Sequence, residues 1–168
     1  ETSKQWFQQF LDSRFHDFGA YEDAIVIDES ILNHSLISPL LNIGLLNPKD
    51  IIDQAITFSK EQDVPINSTE GFIRQVIGWR EFMRGMYESK GRSSRTRNFW
   101  KFKRKIPASF YDGTTGIDPI DQTIQKVLNT GYCHHIERLM ILGNYLLLSE
   151  SHPVYVYNWF MGNFIDAF

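Results

Sequence analysis

The sequence predicts an all-α fold, and three observations predict it. Apolar residues recur at steps of three and four along nearly every segment. Several segments open on a polar residue followed by proline, at Asn47-Pro48, Asp118-Pro119 and His152-Pro153, which is how helices begin. No run alternates apolar and polar residues for long enough to make a strand. About seven or eight helices joined by short loops are expected.

Residues 3–16 carry Trp6, Phe7, Phe10, Leu11 and Phe15 on one helical face, with Ser3 as N-cap. Gly19 and the acidic pair Glu22-Asp23 predict a turn and a surface loop over 18–25. In Asn33-His34-Ser35-Leu36-Ile37-Ser38-Pro39, Ser35 and Ser38 offer hydroxyls beside the free N–H groups of a helix start, an arrangement that accepts anions or simply caps. Asn47-Pro48-Lys49-Asp50 opens a helix running to about residue 60. Asn67-Ser68-Thr69-Glu70 reads as the cap of a long one. Its apolar positions are Phe72, Ile73, Val76, Ile77, Trp79, Phe82, Met83 and Met86, and Arg80 and Arg84 share a face. Residues 90–105 change character: basic residues crowd together with Phe99, Trp100 and Phe102 among them, a pattern suited to a phosphate backbone and stacked bases. Asp118-Pro119 caps a helix to Thr130 with Ile120, Ile124, Val127 and Leu128 on its face. A histidine-bearing helix over 132–149 follows. The last helix opens at Ser151-His152-Pro153 and carries Tyr155, Tyr157, Trp159, Phe160, Phe164, Asp166 and Phe168.

At 168 residues the chain is long enough for one domain with a substantial core. The net charge of -3 provides no overall pull toward nucleic acid or an anionic membrane, so any DNA contact must come from a local basic patch. The single cysteine, Cys133, excludes an internal disulfide and fits a reducing compartment, the cytoplasm. No signal peptide and no membrane span is read: the longest apolar stretch, 139–148, is interrupted by Gly143 and Asn144. The chain opens on glutamate, and the pattern at both ends is that of a helix interior, as expected of a piece of a longer protein.

The most chemically loaded stretch is Thr130-Gly131-Tyr132-Cys133-His134-His135-Ile136-Glu137-Arg138. On a helix His134 and Arg138 share a face. Holding imidazoles and a guanidinium in an apolar segment is costly, which points to a ligand that uses them, or else to an ordinary helix start with partly exposed histidines, the reading that spacing alone favours.

Together with Ser35-Leu36-Ile37-Ser38-Pro39, Gly78-Trp79-Arg80-Glu81-Phe82 and Trp159 through Asp166, this stretch resembles the helical flavin-binding domain of the photolyase/cryptochrome family. Within it the chain is most similar to the bacterial branch that acts on (6-4) photoproducts. The resemblance covers essentially all of residues 1–168 and implies a partial C-terminal FAD-binding domain. The N-terminal antenna domain and the rest of the flavin pocket would lie outside. It implies FAD as cofactor and UV-damaged DNA as partner, with a cryptochrome-like photoreceptor or an inactive helical fragment as the alternatives.

Carried over by position, the family implies that Ser35, Ile37 and Ser38 hold the FAD diphosphate. Gln75 and Arg80 would lie near the flavin, and Arg138 and Asp166 would pair beside its ring. His134 and His135 match the histidine pair that serves the lesion. Trp159 matches an electron-passing aromatic, with Tyr111 more distal. Arg92, Arg95, Arg97, Lys101, Lys103, Arg104 and Lys105 would lie along the DNA backbone. This branch ordinarily carries an iron–sulfur cluster, but Pro119 stands where one of its cysteines is expected. Proline cannot ligate iron, so no metal is expected. An exposed aromatic surface on such a piece predicts self-association.

Overall fold

The computed structural model describes residues 2–167, and these are all-α: eight α-helices, a π-helical turn and no strand among the described residues. They group into two compact units, Glu1–Glu22 with Leu32–Arg97 and Asp23–Ile31 with Asn98–Phe168.

The first unit contains α1 (Thr2–Ser13), α2 (Phe15–Tyr21), α3 (Ser38–Asn42), α4 (Pro48–Glu61) and α5 (Ile66–Thr96). Its core is aromatic: Phe7, Phe10, Phe15, Phe18 and Phe72 are buried in one ring cluster, with Phe10 and Phe72 centroids 5.0 Å apart. Each such ring contributes about 1.5–3 kcal/mol by leaving water. Ile51 and Ala55 of α4 and Val76 of α5 complete the core. Asn47 caps α4 as expected, its side chain accepting from the Lys49 N–H at 2.9 Å.

Four expectations fail in this unit. The helix over 3–16 breaks at Arg14 (φ −132°) into α1 and α2. Ser3 lies inside the first turn of α1, and the cap position falls outside the described residues. Gly19 is not a turn residue but sits within α2, where a Cβ would come 2.4 Å from the Ser68 nitrogen. It is glycine because α2 lies backbone-to-backbone against α5 there. Asn67 does not cap α5, which starts a residue earlier behind Pro65. Ser68 is instead buried in the α5 interior, accepting from the Gly19 N–H (2.8 Å) and donating to the His16 carbonyl (2.7 Å).

The long helix also runs ten residues further than its apolar pattern, from Met86 to Thr96, so Arg92 and Arg95 stand on its last turns. Beyond Val76 its large residues are not buried. Ile77, Trp79, Phe82 and Met83 are all exposed, with Trp79 and Phe82 stacked at 5.7 Å.

The second unit contains a short 3-10 turn (Ala108–Phe110), α6 (Asp118–Thr130), the π-helical turn (Glu137–Gly143), α7 (Asn144–Leu148) and α8 (Pro153–Asn163). Phe110, Ile120, Ile124, Val127, Cys133, Leu142, Leu146, Trp159 and Phe164 form its core. Asp118 is inside α6 and does not cap it. No side chain caps it; Asp121 instead holds the preceding loop, its carboxylate accepting from the Thr115 N–H and hydroxyl and from the Gly116 N–H. Leu128, assigned to the core from its spacing, is exposed, while Thr123 and Lys126 of the same helix are buried. Gly131 ends α6 in the left-handed conformation (φ 69°), which L-residues avoid.

The helix expected over 132–149 forms only from His135. Its next two turns are π-helical, and a Cβ on Gly143 would come 3.2 Å from the Arg138 carbonyl oxygen. Phe168 lies outside the described residues. No helix among the described residues is long and apolar enough to cross a membrane.

Candidate functional site

The second unit concentrates the chemistry. The chain leaves α6 at Gly131, whose carbonyl accepts from the Ile165 N–H at 2.9 Å. That bond ties the segment before the π-helical turn to the end of the chain. Beside it Arg138 donates to Asp166 Oδ1 at 2.7 Å, and its guanidinium lies 4.4 Å from the centroid of the Phe164 ring. The Asp166 side chain is 6% exposed and that of Arg138 23%. One donor of the fork, Arg138 Nε, is buried without a hydrogen-bond acceptor. A guanidinium normally satisfies such an N–H, so this atom marks a place for an acceptor. Tyr132 and Cys133 line the same neighbourhood. Burial raises the Tyr132 hydroxyl pKa and pushes the Cys133 thiol up to about 12. Cys133 is a buried packing residue, not a nucleophile.

His134 and His135 lie edge to face, with centroids 6.1 Å apart, in very different surroundings. His134 is fully buried, and that burial lowers its pKa below the ordinary imidazole value. Its Nε2 lies 3.4 Å from Glu137 Oε2, the neighbour that pulls the other way. His135 is part-exposed, its Nε2 3.2 Å from Asp23 Oδ1.

Behind His134 is a group that sequence reasoning missed. Lys126 Nζ donates to Glu137 Oε1 (2.6 Å), to the Val26 carbonyl (2.6 Å) and to the Glu29 carbonyl (2.9 Å), with both charged side chains buried. Lys126 falls one residue from Val127 on the apolar face of α6, and Glu137 one turn from His134. A charge on a buried stripe was the available signal.

Trp159 is buried, its Nε1–H donating to the Phe110 carbonyl at 3.0 Å and its ring edge-on to Phe110 at 5.7 Å. Tyr111, next along the chain, is exposed.

In the first unit Ser35 is part-buried, and its carbonyl accepts the Trp6 indole N–H at 3.0 Å. Leu36 is left-handed (φ 57°) and Ile37, buried, returns to the right-handed region. That alternation is the backbone form that turns successive N–H groups toward an anion. Ser38 begins α3 without capping it. Gln75 is exposed on α5; Arg80 is part-buried, and burial lowers its pKa. Arg84, expected to pair on a face with Arg80, instead forks between Glu81 and Glu88.

The basic residues divide. Arg92, Arg95 and Arg97 belong to the first unit; Lys101, Lys103, Arg104 and Lys105 belong to the second, and all are exposed. Arg95 lies over the Tyr87 ring at 5.7 Å, and Arg104 is 3.6 Å from Glu150.

No family model matches the sequence. The chain is 40% identical to a (6-4) photolyase of Agrobacterium fabrum over 159 residues, which cover 95% of the chain and 31% of that protein. It is 38% identical over 112 residues to the uncharacterized protein R853 of Acanthamoeba polyphaga mimivirus, covering 66% of the chain and 85% of that protein. The chain thus spans about a third of the photolyase and nearly the whole of the viral protein. It is a photolyase-related sequence and belongs to one family with the mimivirus protein.

Proposed function

We propose that the chain is the flavin-binding helical part of a light-driven DNA-repair enzyme of (6-4) photolyase type. The observation that carries the reading is the Arg138–Asp166 pair, with its buried, acceptor-less Nε, in a chain so similar to a (6-4) photolyase. The residues fit FAD. The Arg138 fork offers an N–H to a flavin ring acceptor, and Asp166 fixes the fork by a charge-assisted bond. By family position, Gln75 and Arg80 of the first unit offer polar groups to the cofactor. Ser35, Ile37 and Ser38, on the left-to-right-handed backbone turn, suit the diphosphate. FAD, when bound, supplies the light-excited electron that repair requires.

The protein's own part is positioning and proton supply. A damaged base leaves the stack more cheaply than an intact one, which brings the lesion within reach. His135 is the proton donor of the histidine pair: it is the accessible one, its Nε2 3.2 Å from Asp23 Oδ1, which orients the ring. His134, fully buried and with its pKa lowered by that burial, orients the site from behind. Trp159 and Tyr111 relay electrons toward the cofactor, and the basic residues from Arg92 to Lys105 meet the phosphates.

The test is a visible-absorption titration of the purified chain with FAD, followed by illumination with a (6-4)-damaged oligonucleotide. Flavin bands that saturate in the wild type and vanish in Arg138→Ala support the reading, as does repair lost in His135→Ala. A chain that stays colourless with FAD in excess refutes flavin binding by this piece.

A further inference from the structure

Loop 98–105 of the second unit is a built platform. Asn98 closes it from both sides: its side-chain amide donates to the Phe102 carbonyl (2.7 Å), and its oxygen accepts from the Phe102 N–H (3.0 Å). The Lys101 N–H bonds back to the Asn98 carbonyl at 3.2 Å, and Lys101 is held in the left-handed region at φ 59°. Further on, the Arg104 carbonyl accepts from the His152 N–H at 2.8 Å and Ile106 is buried, so the loop is anchored to the unit's body.

The closure displays aromatic rings. Phe99 (62% exposed) and Trp100 (65% exposed) stand edge to face at 4.8 Å, and Trp100 and Phe102 are near-parallel at 6.4 Å. Lys101, Lys103, Arg104 and Lys105 are interleaved with and follow them along the loop, all exposed, with Glu150 3.6 Å from Arg104 and no acidic residue between 98 and 111. In a chain of net charge -3 this is a local cationic island around exposed ring faces. A duplex hides its base faces. A single strand offers them beside its phosphates, the combination that aromatic rings and cations together recognise.

We propose that this loop is a stacking site for unpaired nucleobases, with Trp100 and Phe99 receiving a base face while Lys101, Lys103 and Lys105 hold the adjoining phosphates. The proposal deepens the nucleic-acid contact of the repair reading, but it requires neither flavin nor light.

It is tested in the dark, without FAD, by fluorescence anisotropy of a labelled, undamaged oligothymidylate and of a duplex of the same length, over a salt series. The single strand should bind more tightly than the duplex. Trp100→Ala should weaken single-strand binding by roughly 5- to 100-fold, leaving duplex binding and the salt slope nearly unchanged. Trp100→Phe should restore most of the loss, which rules out misfolding as its cause. Lys101→Ser/Lys103→Ser should make the slope of log K against log salt shallower by about 1.4, or about 0.7 for each lost phosphate contact. The proposal is overturned if the wild type prefers the duplex or binds neither. It is also overturned if Trp100→Ala weakens both ligands equally. A third overturning result is Trp100→Ala changing only the sedimentation of the free protein, since the rings would then face a second copy. None of these results bears on the FAD titration, so the flavin reading stands or falls separately.

Discussion

Replacing Lys126 by Met removes the ammonium bonded to the buried Glu137 carboxylate. The Lys126 and Glu137 side chains are 8% and 2% exposed, and the ammonium makes three hydrogen bonds, to Glu137 and to the Val26 and Glu29 carbonyls. Glu137 Oε2 already lacks a hydrogen-bond donor, so after the change a desolvated carboxylate has lost its best partner. Removing one member of such a pair costs about 3–5 kcal/mol, against a total stability on the order of 5–15 kcal/mol. Glu137→Gln should cost less, about 1–3 kcal/mol, because the ammonium keeps three oxygen acceptors and only the charge partner goes. The double variant Lys126→Met/Glu137→Leu leaves no buried charge and should return to within about 1 kcal/mol of the wild type or exceed it. Urea unfolding followed by far-ultraviolet circular dichroism measures all four proteins on one scale. The reasoning fails if Lys126→Met costs under about 1 kcal/mol, or if the double variant is no more stable than Lys126→Met alone.

Three further outcomes are expected. Burial lowers the His134 pKa, so as pH falls through about 6.5 the unfolded chain takes up that proton first. The stability present at neutral pH is then lost, by at most about 1.4 kcal/mol per pH unit, until the folded pKa is passed. His134→Gln should flatten this slope by up to one proton, and an unchanged slope between pH values of about 5 and 7 would rule it out. Cys133, buried with its thiol pushed up to about 12, should resist an aromatic disulfide reagent at about pH 8 until denaturant is added; rapid labelling of the native chain would contradict its placement. Gly19→Ala should destabilise by about 1–3 kcal/mol, since its Cβ meets the Ser68 backbone. Gly85→Ala, with open space around it in α5, should stabilise by up to about 1 kcal/mol, and thermal melts that rank the two alike would dismiss the close approach.

Much of the fold was legible because its signals are local. The Asn47-Pro48 start of α4, the Pro153 start of α8 and the phenylalanine stripe of α1 follow from capping and period alone. What stayed hidden depends on a partner distant in sequence. Gly19 reads as a turn until α5 is laid against it, and Ser68 reads as a cap until its hydroxyl is seen bridging His16 and Gly19. Lys126 reads as solvated charge beside Val127 because nothing in α6 announces Glu137 or the two carbonyls that receive its ammonium. Leu128 erred the other way: one residue of helical rotation carries it from the core to solvent. The Arg138–Asp166 pair, 28 residues apart, was reached through family resemblance, since spacing alone does not select Asp166 among the acids of the chain.

The π-helical turn at Glu137–Gly143 stores one residue more per turn-pair than an α-helix of the same rise would hold. That surplus works like a set-screw. Deleting one exposed residue of the turn, Leu139 or Met140, would remove that surplus and let the stretch relax to ordinary α-helix with its flanks in about the same rotation. Relaxing to α-helix at full length would instead swing everything on its N-terminal side by about 100° relative to Leu142 and Leu146. Glu137 would then leave Lys126, and His134 and Arg138 would lose their bearings on Glu137 and Asp166 in the same movement. Length and backbone form are therefore tied in this stretch: point substitutions on its outer face, or a single-residue deletion taken up by α-helix, leave the aim of these side chains intact, and relaxation to α-helix at full length does not.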